Sequence, residues 1–167
     1  MDRLWAPWRI NYILDGANME GKNECIFCIY PSEGQDKDAS SLIIYRSRLS
    51  FIIMNRYPYN TGHIMVAPYR HVANFDELFP EELEDITMNI QLGIKAVKRR
   101  LTPSGFNIGI NQGKIAGAGI KDHIHVHIVP RWDGDTNFMP VINDTKVLPE
   151  SISDTYKKIR AGMDEVI

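Results

Sequence analysis

The pattern of hydrophobic and polar positions predicts an α+β domain with short strands. Short runs of β-branched and aromatic residues between turn formers are typical of strands, and five stretches fit: 42–45, 51–54, 64–67, 106–110 and 124–129. The run 106–110 alternates apolar with polar or small residues, which predicts one buried face. We expect the last strand to stop at Pro130. About five short strands beside a long helix indicate an antiparallel sheet.

One strong helix is predicted from Pro80 to Leu101. Its apolar residues recur every three or four positions and should cover the sheet: Leu83, Ile86, Ile90, Ile94, Val97 and Leu101. Acidic residues occupy its first turns and basic residues its last, which suits the helix dipole. A second, weaker helical segment is predicted at 151–163, whereas the polar, turn-forming run 31–40 predicts a loop.

The length of 167 residues suits a single domain over 1–167, with an irregular N-terminal arm at 1–24 and a C-terminal tail at 133–167. A net charge of -2 argues against an extended nucleic-acid surface. The N-terminus lacks the apolar centre of a signal peptide, and no run approaches the ~20 apolar residues needed to cross a bilayer. We therefore expect a cytoplasmic protein without a membrane partner.

The two cysteines, Cys25 and Cys28, are spaced as Cys-x-x-Cys. In a reducing compartment this spacing indicates a metal site or a redox pair rather than a structural disulfide. Two thiolates suit zinc, and His71 and His123 are candidates to complete a tetrahedral, structural site. The alternative is a pair of free buried thiols. A thioredoxin-like redox pair is disfavoured because no parallel βαβ pattern surrounds it.

Three alternating histidines, His123, His125 and His127, are the strongest chemical signal in the chain. On a strand they share one face, with successive members ~6.6 Å apart. All three could bind one ion only with strain, so different roles are expected and a three-histidine metalloenzyme is disfavoured. A neutral imidazole can attack phosphorus, and a second can donate a proton to phosphate. The glycine-bearing loop 113–119 offers backbone N–H groups to the same phosphate.

The run His-Ile-His-Val-His-Ile-Val-Pro-Arg at 123–131 resembles the signature of the histidine triad family of nucleotide hydrolases and transferases. The segment 54–68 is similar to the strand–turn–strand that holds the nucleoside in that family. The Cys-x-x-Cys start resembles the zinc-binding start of many bacterial members. Segments 4–9, 57–60 and 130–138 are most similar to the bacterial diadenosine tetraphosphate phosphorylase-like branch. The likeness covers about residues 4–160.

The resemblance assigns separate roles to the histidines. His125 would attack the α-phosphate and form a nucleotidyl-histidine, and His127 would contact the phosphate. His123 would orient the catalytic site or ligate a structural zinc with His71 and the two cysteines. No organic cofactor is implied.

The resemblance also implies nucleotide-binding positions. Asn55 stands where members bind the ribose hydroxyls, and Gln112 stands where they place an amide against the phosphate. Asn111 could take that second role if the register differs by one. Members commonly place Ser, Thr or Gln in the loop before the triad, where it helps the leaving group. Here Gly119 and the two residues after it lack a hydroxyl, so backbone N–H groups, Lys121 or Lys114 would have to substitute.

The expected protein is a homodimer that transfers a nucleotide from a dinucleoside polyphosphate to phosphate or water. One alternative is a nucleoside phosphoramidate hydrolase, which would use the same histidines. The other is a zinc-stabilised nucleotide-binding protein with little turnover, favoured by the missing loop hydroxyl. Trp5, Trp8 and Trp132 are expected to pack in the core or at the dimer interface.

Overall fold

Five short strands form one antiparallel sheet in the computed structural model, which describes residues 25–136 and 147–167. The strands are β1 (Ile43–Arg46), β2 (Ser50–Met54), β3 (Ile64–Pro68), β4 (Gly105–Ile110) and β5 (Val126–Arg131). Their order across the sheet is β1-β2-β3-β5-β4, and every neighbouring pair is antiparallel. The predicted α+β class is confirmed. The predicted arm 1–24, with Trp5 and Trp8, lies outside the described residues.

Four α-helices accompany the sheet in the described part of the chain: α1 (Ile26–Ser32), α2 (Asp38–Ser41), α3 (Pro80–Leu101) and α4 (Ile152–Asp164). Single 3-10 turns lie at Gln35–Lys37, Phe75–Glu77 and Lys114–Ala116. The helices predicted at 80–101 and 151–163 are confirmed. Within 25–136 and 147–167, no helix combines the length and hydrophobicity that crossing a membrane requires.

The loop predicted at 31–40 was wrong, because helical turns fill most of it. The cause is a contact with β1 that local sequence does not reveal. The guanidinium of Arg46 donates to the Asp38 carboxylate at 2.7 Å and to the carbonyl of Pro31 at 2.9 Å. This half-buried ion pair fixes both ends of the polar run, whose own composition would otherwise favour a loop.

Helix α3 packs across β2 and β3 and forms one wall of the core. Pro80 occupies the first helical position, and the Glu82 carboxylate accepts the backbone N–H of Phe79 at 2.9 Å, which satisfies a free donor at the helix start. A β-carbon at Gly93 would stand 2.8 Å from the side chain of Ile64. The missing side chain therefore lets the helix approach the sheet closely.

The last two strands correct two expectations. Strand β5 begins at Val126 rather than at 124 and continues through Pro130, which pairs with Phe106 on β4. Pairing of β5 with β3 ends at Ile128, so a residue without an N–H is tolerated beyond that point. Strand β4 has no buried face: Ile108 is 49% exposed, because β4 lies at the sheet edge away from the strands that α3 covers.

Candidate active site

A cavity of about 440 Å³ opens beside the ends of β2 and β5. Its size is typical of small-molecule sites. The lining is mainly apolar and includes Ile26, Phe27, Leu42, Ile53, Met54 and Met65. His125, His127, Asn55 and Arg56 are among the residues that provide polar groups. An apolar pocket with a few polar groups suits a ligand with a flat organic part and a polar, reacting part.

The two cavity histidines lie side by side because they alternate along one extended segment. His125 directly precedes β5 and His127 is its second residue, so both side chains point to one face. Their ring centroids are 4.7 Å apart, and the rings are nearly perpendicular. Both are almost buried, with 5% and 9% of their surface exposed. The free ring atoms of the pair therefore face the cavity rather than bulk water.

The tautomer of His125 follows from its backbone partner. Its Nδ1 lies 2.8 Å from the carbonyl oxygen of His123. A carbonyl can only accept, so Nδ1 carries the proton and Nε2 keeps its lone pair. Burial lowers the pKa of His125, which favours the neutral ring. The result is a neutral imidazole with the lone pair of a nucleophile.

His127 has the opposite tautomer, fixed through His63. The backbone N–H of Tyr59 donates to His63 Nδ1 at 3.1 Å, so the proton of His63 is on Nε2. That N–H donates to His127 Nδ1 at 3.0 Å, which leaves the proton of His127 on Nε2. Burial, and then the neighbouring histidine, lower the pKa of both rings, His63 to about 3 and His127 to about 4. The cavity therefore holds one imidazole lone pair and one imidazole N–H donor.

A second group of side chains lies next to the cavity, and one of its members, Cys25, also lines the cavity. Cys25, Cys28, His71 and His123 each offer one ligand atom, and these atoms all lie within 4.8 Å of one another. The individual distances include 3.3 Å for Cys25 Sγ to His123 Nδ1 and 3.3 Å for Cys28 Sγ to His71 Nδ1. Four such ligands around a tetrahedral zinc stand about 3.3–3.8 Å apart. The residues therefore fit the metal.

Three segments bring these four ligands together. Cys25 accepts the backbone N–H groups that begin α1, which sets Cys28 one turn away on the same side. The N–H of Ile124 donates to the carbonyl of Val72 at 2.7 Å, which holds the segment of His123 beside that of His71. The cluster thus joins the start of α1, the turn after β3 and the approach to β5.

The orientation of His123 also suits a metal ligand. Its Nε2 lies 2.8 Å from the carbonyl oxygen of Pro68, so Nε2 carries the proton and Nδ1 offers its lone pair toward the thiols. Burial raises the pKa of the Cys25 thiol to about 11. A redox-active Cys-x-x-Cys pair instead needs a lowered thiol pKa, so this environment disfavours the redox alternative.

The other candidate residues divide into two groups. Asn55 and Gly119 line the cavity, and Ile120 lies beside Gly119 there. The side chain of Gln112 instead accepts the backbone N–H of Phe75 at 3.0 Å, outside the cavity lining.

Two further expected residues also lie away from the cavity lining. Asn111 does not belong to that lining. The indole N–H of Trp132 donates to the carbonyl of Leu101 at 3.2 Å, so this tryptophan packs at the end of α3.

Two residues that sequence reasoning left without a role belong to the site. His63 is completely buried and sets the tautomer of His127. Its signal was its place between two predicted strands, where a lone histidine has no obvious partner. Phe27 is also completely buried, and its ring lies 4.8 Å from that of His125. In the sequence Phe27 stands between the two cysteines and carries no chemical signal of its own.

Known proteins match this chain along most of its length. The HIT domain model matches residues 36–134. The AP-4-A phosphorylase of Mycobacterium tuberculosis is 38% identical over 159 residues, which cover 94% of this chain and 82% of that protein. The asymmetrical bis(5'-nucleosyl)-tetraphosphatase of Schizosaccharomyces pombe is 36% identical over 95 residues, covering 57% of this chain and 52% of that enzyme.

A solved structure agrees with this match. The zinc-bound histidine triad family protein from Mycobacterium smegmatis aligns with a TM-score of 0.66 and 25% identity, covering 85% of this chain and 94% of that one. Together with the matched domain model and the alternating histidines in the cavity, this likeness confirms the family that the sequence predicted. The chain belongs to the histidine triad, or HIT, family.

Proposed function

We propose that this protein is an enzyme that transfers a nucleotide from the α-phosphate of a dinucleoside polyphosphate through a covalent nucleotidyl-His125 intermediate. One observation carries the proposal: His125 and His127 present opposite tautomers to one cavity. A lone pair beside an N–H donor is the pair of groups that displacement at a phosphate requires. The named activities of the Mycobacterium tuberculosis and Schizosaccharomyces pombe relatives support a dinucleoside polyphosphate as substrate.

The proposed reaction is a double displacement. His125 Nε2 attacks the α-phosphorus, a nitrogen–phosphorus bond forms, and the bond from phosphorus to the bridging oxygen of the departing nucleotide breaks. The departing oxygen keeps the electron pair. His127 Nε2–H donates to a phosphate oxygen, which stabilises the charge that builds up there. An oxygen of phosphate or water then attacks the same phosphorus, and His125 leaves with its lone pair restored.

The cavity end formed by Gly119 and Ile120 would meet the departing nucleotide. This loop has no hydroxyl to help the leaving group, so its backbone N–H groups, with Lys121 or Lys114, would provide the stabilisation. A polyphosphate leaving group is already a weak base and needs little protonation. The loop chemistry therefore favours a polyphosphate leaving group over a strongly basic one such as an amine.

The ribose and base would occupy the rest of the cavity. Asn55 lies in its lining, and the backbone N–H of Tyr57 donates to Asn55 Oδ1 at 2.9 Å, which holds the amide in place. We assign Asn55 to the ribose hydroxyls and the apolar wall to the base. The resemblance to the family also assigned Gln112 and Asn111 to the phosphate, and this assignment finds less support because neither lines the cavity.

We further propose that Cys25, Cys28, His71 and His123 hold a structural zinc. Four protein ligands close the coordination shell, so the metal would cross-link three segments and leave no position for substrate. A zinc-bound relative of the same fold supports this metal. Thiolate ligation requires reduced cysteines, which fits the expected cytoplasmic location.

The free edge of β4 supports the expected homodimer. Within the described residues β4 pairs only with β5, and Ile108 on it is 49% exposed. Two copies could join their β4 edges and cover this side chain. Light scattering on the purified protein should give twice the chain mass, and a single chain mass would contradict the proposal.

The decisive test of function is to incubate the protein with diadenosine tetraphosphate, with and without inorganic phosphate. A phosphorylase produces ADP and ATP only when phosphate is present, whereas a hydrolase produces AMP and ATP without it. Denaturing mass spectrometry after a brief reaction should detect one nucleotidyl group on the wild-type chain and none on His125→Ala. Turnover that survives in His125→Ala would overturn the covalent mechanism.

The missing loop hydroxyl favours a second candidate, a nucleotide-binding protein with little turnover. The same assay separates the two, since a binding protein would retain diadenosine tetraphosphate unchanged at concentrations that saturate the site. An adenosine phosphoramidate substrate tests the remaining alternative. Faster cleavage of its phosphorus–nitrogen bond than of diadenosine tetraphosphate would replace the dinucleotide assignment.

A further inference from the structure

The side chain of Phe27 lies between the cysteine–histidine cluster and the cavity. Phe27 is the second residue of α1 and stands between Cys25 and Cys28 in sequence. It is completely buried. Its ring centroid is 4.8 Å from that of His125 and 5.3 Å from that of His123. One aromatic side chain therefore contacts both the proposed nucleophile and a proposed metal ligand.

The orientation of the His125 ring depends on more than its one hydrogen bond. The hydrogen bond from Nδ1 to the His123 carbonyl fixes one atom of the ring and sets the tautomer. One hydrogen bond does not hold the whole ring, because coupled changes of the two side-chain torsions can move Nε2 while Nδ1 keeps its partner. The Phe27 ring, tilted by 42° at a centroid distance of 4.8 Å, restricts this movement from one side. The direction of the Nε2 lone pair then depends on where Phe27 lies.

The position of Phe27 depends in turn on the first turn of α1. The backbone N–H groups of Cys28 and Ile29 both donate to the carbonyl of Cys25 at 2.9 and 3.0 Å, so this turn is continuous with both cysteines. The thiols of Cys25 and Cys28 lie 3.3 and 3.6 Å from His123 Nδ1. Whatever holds these thiols therefore also sets the position of the Phe27 ring beside His125.

We infer that Phe27 is a positioning residue that fixes the imidazole plane of His125 and links this plane to the cysteine–histidine cluster. The inference rests on the proposed function for the role of His125, but its geometric part is independent of that role. Phe27 also lines the cavity, so a plainer role would be a wall against the nucleobase. The two roles predict different kinetics: loss of a wall raises KM, whereas loss of alignment lowers kcat.

The test compares Phe27→Leu and Phe27→Met with the matched control Phe51→Leu. Phe51 is equally buried, and its ring lies beside Phe27 and Tyr69 rather than a histidine in the described part of the chain. The ring nitrogens of His125 are followed by 15N NMR, with assignment from His125→Ala. Zinc content and the kinetics on diadenosine tetraphosphate are measured on the same samples, at a temperature where circular dichroism shows each variant folded.

Both Phe27 variants should retain zinc and move the two His125 nitrogen shifts toward each other, as a mixture of orientations and tautomers would. We expect kcat to fall about 10- to 100-fold while KM changes less than about threefold. Phe51→Leu should leave the His125 nitrogens unchanged. Unchanged His125 signals in both Phe27 variants would overturn the inference. So would a loss confined to KM, or equal shifts in Phe51→Leu.

These readouts also separate failure of this inference from failure of the proposed function. If His125→Ala kept its turnover, the catalytic role would fail while the nitrogen shifts still reported on positioning. If His125→Ala lost turnover but the Phe27 variants behaved as the wild type, the catalytic role would stand without the positioning contact.

Discussion

The cysteine–histidine cluster and the cavity both use histidine, but they leave opposite nitrogens of the ring free. In the cysteine–histidine cluster, the Nε2–H of His123 donates a hydrogen bond to the carbonyl of Pro68, so Nδ1 faces the thiols. In the cavity, the Nδ1–H of His125 donates a hydrogen bond to the carbonyl of His123, so Nε2 faces the ligand space. The two histidines are two positions apart in sequence, and their rings differ in which nitrogen is hydrogen-bonded to the backbone. The backbone partner, more than the residue type, decides what each imidazole can do.

The comparison also shows where the two groups join. His123 contributes its ring to the cluster and its carbonyl to the tautomer of His125. A substitution in the cavity group should therefore leave the cluster intact, whereas a substitution in the cluster should also affect the cavity. This asymmetry can be tested by changing one group at a time.

The largest expected effect is that of His125→Ala on turnover. Removal of the proposed covalent nucleophile should lower kcat for diadenosine tetraphosphate by about 10⁴-fold or more, because no other described group in the cavity offers an unprotonated imidazole nitrogen. Zinc content should stay at the wild-type value, since His125 is not in the cluster. Metal loss in this variant would break the proposed separation of the two groups.

Cys28→Ser tests the other group. It removes a proposed zinc ligand, so we expect zinc content to fall, and stability to fall by the free energy that bound metal would supply. That amount is about 4 kcal/mol for a metal present at 1,000 times its dissociation constant. Thermal unfolding with and without a chelator measures it. The matched control is Ser32, an exposed hydroxyl on the same helix: Ser32→Ala should leave zinc content and the chelator effect unchanged. An equal chelator effect on wild type and Cys28→Ser would contradict metal binding here.

Much of this architecture could be predicted from the chain alone, for reasons that particular residues illustrate. The 80–101 helix was predictable because its apolar spacing and charged ends are local properties. The cysteines and His123 could be grouped because zinc chemistry constrains ligand type and number. The relay through His63 could not, because it depends on His63, just before β3, meeting His127 on the neighbouring strand β5. The helical turns at 31–40 could not be predicted for the same reason, since they depend on hydrogen bonds from Arg46 on β1.

A substitution of His63 sharpens the account of the cavity group. His63→Phe keeps a buried ring but removes the N–H that donates to His127 Nδ1. His127 is then free to place its own proton on Nδ1, which would remove the N–H proposed to donate to the phosphate. A lost buried hydrogen bond of about 1–3 kcal/mol corresponds to a fall in kcat of about 5- to 150-fold. Zinc content serves as the control and should not change. A wild-type kcat would show that the relay does not set the donor.

The pH dependence of the cavity group should also be unusual for histidines. Burial is the main cause that lowers the pKa of His127 to about 4 and of His63 to about 3, so both stay neutral well below the ordinary value of 6.5. Burial also lowers the pKa of His125, the proposed nucleophile, so we expect any fall of kcat with acid to lie below the ordinary histidine pKa of 6.5. An acid limb with a midpoint near 6.5 would contradict this.

Stability should respond to pH with a definite sign. Below pH 6.5 the unfolded chain binds protons at these histidines that the folded chain excludes. Their contribution to stability is therefore complete above pH 6.5 and is lost as the pH falls toward the folded values of about 4 and 3. Denaturant unfolding at several pH values measures this loss. In His63→Phe the slope between pH 6.5 and 4 should be shallower than in wild type, and an equal slope would exclude His63 as a source.

The smallest expected effect is that of Gln112→Ala. Family resemblance places this amide against the phosphate, but its side chain accepts the N–H of Phe75 and donates to the Asn74 side chain at 3.3 Å, away from the histidines. We therefore expect kcat/KM to change less than about threefold, whereas Asn55→Ala, which removes a cavity amide, should raise KM clearly. A loss in Gln112→Ala comparable to that in Asn55→Ala would mean that substrate draws residues 111–112 into the cavity. The set of residues that line the cavity would then depend on the bound nucleotide as well as on the fold.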